Sequence, residues 1–268
     1  MARAASAEAV FQEVRASAKY GDLDEGFLRR IAAEAAARMK SQSDAVKYAK
    51  RKLHQAFGSF VAGSPGEAVR RCVRAIESGS PVREACLTSM RAHASTAERV
   101  PVLDLFYRQI EVWCKRPSRV VDLACGLNPL ALPWLAADVD LTYWGCDIDV
   151  DLIASLPALG ASLRQTILAE PRDLVAPASL PSADLVLLLK TITTLERQRS
   201  GAARELLAGL DAPCVVVSVP RGSLSARRPY ADDATLLIGN AVTGTGFELV
   251  DQVSFGDELA CLLVRPGS

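Results

Sequence analysis

Val120-Val-Asp-Leu-Ala-Cys-Gly-Leu-Asn-Pro129 is followed about 20 residues later by Trp144-Gly-Cys-Asp-Ile-Asp149. In both stretches an apolar run ends in an acid. In the first, small residues follow, then Gly126, whose missing Cβ lets the backbone approach a ligand closely. The second run, Leu141 to Cys146, ends in Asp147 and Asp149, carboxylates suited to ribose hydroxyls. Asp147, nearer the strand end, is the expected ribose ligand, and Asp149 the expected helix N-cap. This is the layout of a nucleotide-type site at the carboxyl ends of neighbouring parallel strands. The G-x-G-x-x-G of dinucleotide enzymes is missing, because Asn128-Pro129 stand where the later Gly belongs. One Gly and no pyrophosphate cradle point to a cofactor without phosphates.

Outward from this pair, strand-like runs fall at 119–123, 142–146, 162–167, 184–189, 214–219, 247–254 and 258–264. Helical stretches lie between several of them, notably 129–137, 149–158 and 196–210. That alternation implies a mostly parallel sheet. A short Gly256-Asp257 turn and no helix joins the last two runs, so they should form a hairpin and give the sheet an antiparallel end. Seven strands with such a tail is the arrangement of enzymes that use S-adenosylmethionine (SAM), a cofactor that carries no phosphate.

The residues before 117 read as helices. Residues 27–40 are rich in Ala, Leu, Arg and Glu. Asp44 is placed to open a helix whose apolar face runs through Val46, Ala49, Leu53, Ala56, Phe57 and Phe60. Gly63-Ser-Pro-Gly66 is expected to end it. Further helices are expected over 67–78, 81–93 and 97–114. Arg116-Pro117-Ser118 marks a boundary between a helical domain, 1–116, and a sheet domain, 117–268.

The net charge is zero but unevenly divided. Residues 1–116 carry 20 Lys and Arg against 13 Asp and Glu, whereas 117–268 carry 11 against 18. A basic half beside an acidic half suggests a polyanionic partner for the first. The seven Cys form no C-x-x-C pair and read as reduced thiols. His54 and His93 are too few for a His-based metal site, and His93 is expected to cap or pack the next helix. No apolar run approaches the ~20 residues of a membrane span. The start, Met-Ala-Arg-Ala-Ala-Ser, lacks an apolar signal core. The expectation is a cytoplasmic protein.

Three further segments carry chemistry. Asp173-Leu174 follows the third strand-like run, where a carboxylate suits an adenine amine. Lys190 closes the fourth run, either as a contact to phosphate or base or as a solvated strand-terminal Lys. Lys47, Lys50 and Arg51, with Lys52 beside them, fall largely on one helical face, and Arg70, Arg71 and Arg74 repeat the pattern. A charged face is usually only solvated. Here the excess of one sign favours a nucleic-acid footprint.

Several of these stretches together resemble a known family. They are Lys50-Arg-Lys-Leu-His-Gln-Ala-Phe-Gly-Ser-Phe60, His93-Ala-Ser-Thr-Ala-Glu-Arg99, Leu103-Asp-Leu-Phe-Tyr107, Asp122-Leu-Ala-Cys-Gly-Leu-Asn-Pro129 and Leu187-Leu-Leu-Lys190. The chain resembles the aminoglycoside-resistance 16S rRNA methyltransferases that modify N7 of guanine 1405. The resemblance implies a Rossmann-like class I SAM methyltransferase fold: a seven-stranded, mostly parallel α/β sheet with an antiparallel last strand, preceded by an all-helical rRNA-docking domain. It implies that Arg99 meets the cofactor carboxylate, that Gly126 lines its methionine, that Asp147 holds the ribose, and that Asp173 with Leu174 holds the adenine, with Asp122, Ala124, Ile148 and Leu189 also among the cofactor-binding residues. The implied substrate is the assembled 30S subunit; nothing in the sequence requires more than a monomer, and a monomer is the expectation. Where the family usually has Phe-Pro-Thr-(Lys or Arg)-Ser-Leu, this chain has Val219-Pro-Arg-Gly-Ser-Leu224, then Ser-Ala-Arg-Arg-Pro-Tyr230. Arg221 remains for the target base beside Lys190, and Arg227 and Arg228 for RNA, in a rewritten loop.

Guanine N7 carries an in-plane lone pair and no proton, so its methylation needs position and electrostatics rather than a general base. No catalytic residue or metal ligand is therefore expected. Two rivals stay open at this point. One is a methyltransferase of another RNA base or of a small molecule. The other is a non-catalytic RNA-binding homologue.

Overall fold

The computed structural model describes residues 5–58, 63–135, 140–176, 179–221 and 231–267. Seven helices come first: α1 (Ala7–Arg15), α2 (Glu25–Arg38), α3 (Gln42–Leu53), α4 (Pro65–Glu77), α5 (Val82–Met90), α6 (Ala94–Ala97) and α7 (Leu103–Trp113). A π-helical turn, His54–Gly58, extends α3. The helix starts are set by side chains that accept orphan amide N–H groups. Ser6, Asp24, Ser41 and Ser64 cap α1 to α4. Asp44 therefore lies inside the first turn of α3, and Ser41 is its cap. Gly63-Ser-Pro-Gly66, expected as a stop, instead holds the start of α4: Ser64 caps Glu67 N–H and Pro65 occupies the first turn.

The second part runs β1 (Arg119–Leu123), α8 (Leu132–Leu135), β2 (Thr142–Asp147), α9 (Val150–Leu163), β3 (Thr166–Pro171), β4 (Leu185–Leu189), α10 (Ile192–Gln198), α11 (Ala202–Ala208), β5 (Cys214–Pro220), α12 (Ala231–Val242), β6 (Glu248–Phe255) and β7 (Glu258–Val264). The sheet order is β3-β2-β1-β4-β5-β7-β6. Neighbours from β3 to β5 are parallel, and β7 runs antiparallel to both β5 and β6. The hairpin and the antiparallel end expected from Gly256-Asp257 are both present. The third strand lies later than expected, because α9 runs on to Leu163 and closes on Arg164 in the left-handed region, φ 55°. No helix among the described residues is long and apolar enough to cross a membrane.

Helices precede residue 116 and strands follow it, but the apolar cores are grouped differently. α1, α2 and α3 share their own core around Phe27, Ile31 and Leu53. Residues of α4, α5 and α7 join α9 on one face of the sheet, around Met90, Phe106 and Leu156. α10, α11 and α12 cover the other face. Cys114, at the end of α7, is disulfide-bonded to Cys214 at the start of β5. That corrects the expectation of reduced thiols for these two: packing α7 on the sheet face brings them together across 100 residues. Cys72, Cys86, Cys125, Cys146 and Cys261 are free and buried.

Candidate active site

A cleft of about 1050 Å³, its open mouth included, lies over the carboxyl ends of β1, β2 and β4. Strand order reverses there between β1 and β4, the place where open α/β sheets bind ligands. The loop after β1 turns through two left-handed residues, Ala124 (φ 56°) and Gly126 (φ 49°). A Cβ on Gly126 would meet only the His93 ring, at 3.8 Å. It is the backbone conformation, more than crowding, that calls for Gly there.

Gly126 N–H donates to Asp147 Oδ2 at 2.9 Å, and Asp149 N–H to Asp147 Oδ1 at 3.1 Å. Burial pushes the Asp147 carboxyl up against the pull of these amides. Asp149 caps α9 by accepting from Leu152 N–H at 3.0 Å, as its place in the sequence suggested. Beneath the loop, Asp122 is 1% exposed. Its Oδ2 accepts from Asn128 Nδ2 at 2.6 Å and from the Tyr143 hydroxyl. Burial pushes Asp122 up to about 6, although both donors oppose the rise.

One wall of the cleft is a buried charge network. Arg99, 2% exposed, donates Nε and Nη2 to Glu258 at 3.1 and 2.6 Å, and Nη1 to Asn128 Oδ1 at 3.1 Å. Its guanidinium lies 4.5 Å from the centroid of Phe106. Burial alone would raise Glu258, but Arg99 overrides it and holds the carboxyl below its ordinary value. Lys190 takes a left-handed conformation, φ 56°, at the end of β4. Its side chain is only 8% exposed, with Nζ 2.6 Å from Glu98 and 3.5 Å from Glu258. Lys190 is thus a cleft residue, not a solvated strand-terminal Lys. His93 lines the same cleft, hydrogen-bonded to the Ser95 hydroxyl at 2.8 Å. Burial, then the charge of Lys190, push its imidazole down to about 4. It stays neutral near pH 7.

The far end of the cleft holds Asp173 and Leu174 after β3, with Phe27 and Arg30 of α2 facing them. Ala124, Ile148 and Leu189 also line the cleft, so all nine residues expected to bind the cofactor meet there. Arg221 does not line it; its N–H donates to Asp257 O at 2.7 Å in the β6–β7 turn.

The basic residues fare unequally. Lys47, Lys50 and Arg51 are exposed on α3, and Arg71 and Arg74 on α4. Lys52 is turned inward, 13% exposed, with Nζ on the carbonyls of Arg197 and Gln198 at 2.8 and 3.0 Å. It closes the end of α10, which corrects its expected place on the RNA face. Arg70 spans to α9, pairing bidentately with Asp151 at 2.8 and 3.0 Å. Arg227 and Arg228 lie outside the described residues.

A family model described as ribosomal RNA methyltransferase (FmrO) matches residues 16–258. The chain belongs to the FmrO family of ribosomal RNA methyltransferases. A relative from Micromonospora olivasterospora, a 16S rRNA (guanine(1405)-N(7))-methyltransferase, is 48% identical over 93% of this chain and 85% of its own. One of the same name from Serratia marcescens is 32% identical over 95% and 96%. The crystal structure of the 16S rRNA methyltransferase RmtF in complex with S-adenosyl-L-homocysteine matches with a TM-score of 0.85 at 28% identity, covering 97% of this chain and 98% of that one. RmtB gives 0.81 at 29%, covering 97% and 98%.

Sequence reasoning missed Asn128, Glu258, Arg30 and Gln198. Asn128 was legible, standing inside the quoted loop motif. Glu258 and Arg30 were not, because their partners Arg99 and Asp173 lie 159 and 143 residues away.

Proposed function

We propose that this chain transfers the methyl group of SAM to N7 of guanine 1405 in 16S rRNA, on the assembled 30S subunit, and so protects the decoding site from aminoglycosides. The observation that carries this reading is the order of polar groups along consecutive strand ends. Arg99 and Gly126 lie by β1, Asp147 ends β2, and Asp173 follows β3. They suit, in turn, a carboxylate, a ribose and an adenine, with no phosphate cradle between. Three N–H groups of Arg99 are engaged, which leaves two of its five donors for a carboxylate.

When bound, SAM supplies an electrophilic methyl group on a sulfonium. The protein's task is to hold N7 in line with it and to exclude water. N7 lies in a groove that side chains cannot read in paired RNA. The base must therefore be flipped, at a cost of about a few kcal/mol. Contacts from Lys47, Lys50, Arg51, Arg71 and Arg74, with Arg227 and Arg228, offset that cost on the rRNA. Lys190 and Arg221 stand for contacts to the target base or its phosphates. Helices before residue 117 act as the docking part, and the protein works as a cytoplasmic monomer.

The test is methyl transfer from labelled SAM to purified 30S subunits, with the modified base mapped by borohydride–aniline cleavage. Cleavage at guanine 1405 supports the reading. SAM binding without transfer to 30S points to another substrate, which the rewritten 219–230 loop favours among the rivals. Absence of SAM binding by calorimetry points to a non-catalytic homologue.

A further inference from the structure

The adenine end of the cleft is not built by the sheet domain alone. Helix α2 lays Phe27 and Arg30, about one turn apart, against it. Arg30 Nε and Nη2 donate to Asp173 Oδ2 and Oδ1 at 2.5 and 3.2 Å. Asp173 is 7% exposed, and its Oδ1 also accepts from Val175 N–H at 3.0 Å. A carboxylate offers about four lone-pair directions. Two on Oδ1 and one on Oδ2 are taken, so the remaining one is on Oδ2. A forked guanidinium contact fixes the plane of a carboxylate as well as its position. The free lone pair therefore has a set direction. Without the fork, a buried carboxylate would turn and lose its counter-charge.

The same helical unit is tied to the cleft on two sides. Asp24 N–H donates to Ile148 O at 2.8 Å and Val150 N–H to Asp22 O at 3.1 Å, bracketing Asp149. Gln198 Nε2 donates to Lys52 O at 3.2 Å. Gln198 Oε1 is buried with no hydrogen-bond partner, and Gln198 lines both the cleft and the adjoining recess beside Arg30 and Val175. A buried acceptor without a donor marks a place where a ligand amine or a water is satisfied.

We infer that Arg30 is a positioning residue for the 6-amino edge of the cofactor's adenine. It holds Asp173 so that Oδ2 accepts from that amine, and it makes cofactor affinity depend on the helical unit. The inference rests on the assignment of Asp173 to adenine made above.

The experiment is calorimetry of the full chain with S-adenosylhomocysteine and with S-inosylhomocysteine, in which a 6-oxo group replaces the amine. The wild type should prefer the adenosyl compound. Arg30→Met should weaken it by about tenfold or more, the scale of a missing hydrogen bond to a charged group. The inosyl compound should change little, so the preference collapses. Arg30→Lys, which keeps the charge without the fork, should narrow the preference part-way. A wild-type preference in both variants, whatever the absolute affinities, overturns the inference. Asp173→Asn separates the two levels. If it too keeps the wild-type preference, the adenine assignment fails; if it alone loses the preference, only the role of Arg30 fails.

Discussion

Asp122 was legible as a site residue because an acid ends the apolar run before Gly126. Its partner Tyr143 was not, since it lies on the next strand and reaches Asp122 only once β1 and β2 pair. The carboxyl rises from 3.8 to about 6 on folding because burial penalises its charge. The folded state therefore binds this proton more tightly than the unfolded chain. Its stabilising contribution is present in acid and is lost as pH rises through 6. Above that, the buried charge costs on the order of 3 kcal/mol for a rise of about two pH units. Asp122→Asn should accordingly be more stable than the wild type at pH 8, and the gap should close towards pH 4, as read by urea unfolding at both values. A gap that widens in acid would refute the sign. A second residue-scale expectation concerns chemistry. N7 has no proton to lose, so single-turnover methylation of 30S should be flat from about pH 7 to 9. A rate rising tenfold per pH unit would reveal an ionising base in the step.

At the scale of elements, most strands were readable because they are short apolar runs between turn residues; the third, Thr166–Pro171, was placed too early because α9 runs on to Leu163. Helix ends were less so. Gly63-Ser-Pro-Gly66 has the composition of a breaker, yet Ser64 and Pro65 are equally the start of a helix. What decides between the two is tertiary: α4 packs on α9 so closely that a Cβ on Gly66 would come within 2.3 Å of Asp151 Oδ2 and 2.7 Å of its backbone oxygen. The backbone oxygen cannot swing aside. Gly66→Ala should therefore lower the unfolding free energy by about 1–3 kcal/mol, as overpacking does. Arg70→Ala removes the neighbouring pair with Asp151, whose side chains are both 40% exposed. Solvent screens such a pair, so its loss should cost no more than about 1 kcal/mol. If Arg70→Ala proves the costlier of the two in chemical denaturation, the close approach is not what fixes α4.

For the whole molecule, the charge division was plain in the sequence, but which cations face outward was not. Lys47, Lys50, Arg51 and Lys52 sit on nearly the same stretch of helix. Packing of α3 against α10 turns Lys52 inward, where it holds the two parts together. Lys50 and Arg51 remain exposed, and Arg51 also lies 5.2 Å from the Tyr48 ring. Neither lines the cofactor cleft. Docking and cofactor binding should thus separate in the double variant Lys50→Glu, Arg51→Glu. Methylation of 30S should be abolished at physiological salt, with SAM affinity by calorimetry within about twofold of the wild type. Milder neutral changes, Lys50→Gln with Arg51→Gln, should weaken 30S binding and lessen the slope of log affinity against log salt by about 0.7–0.9 for each phosphate no longer neutralised. An unchanged slope would mean that these cations are merely solvated. A fall in SAM affinity in the charge-reversed variant would mean that α3 acts on the cleft through its seam with α10 and not on the RNA.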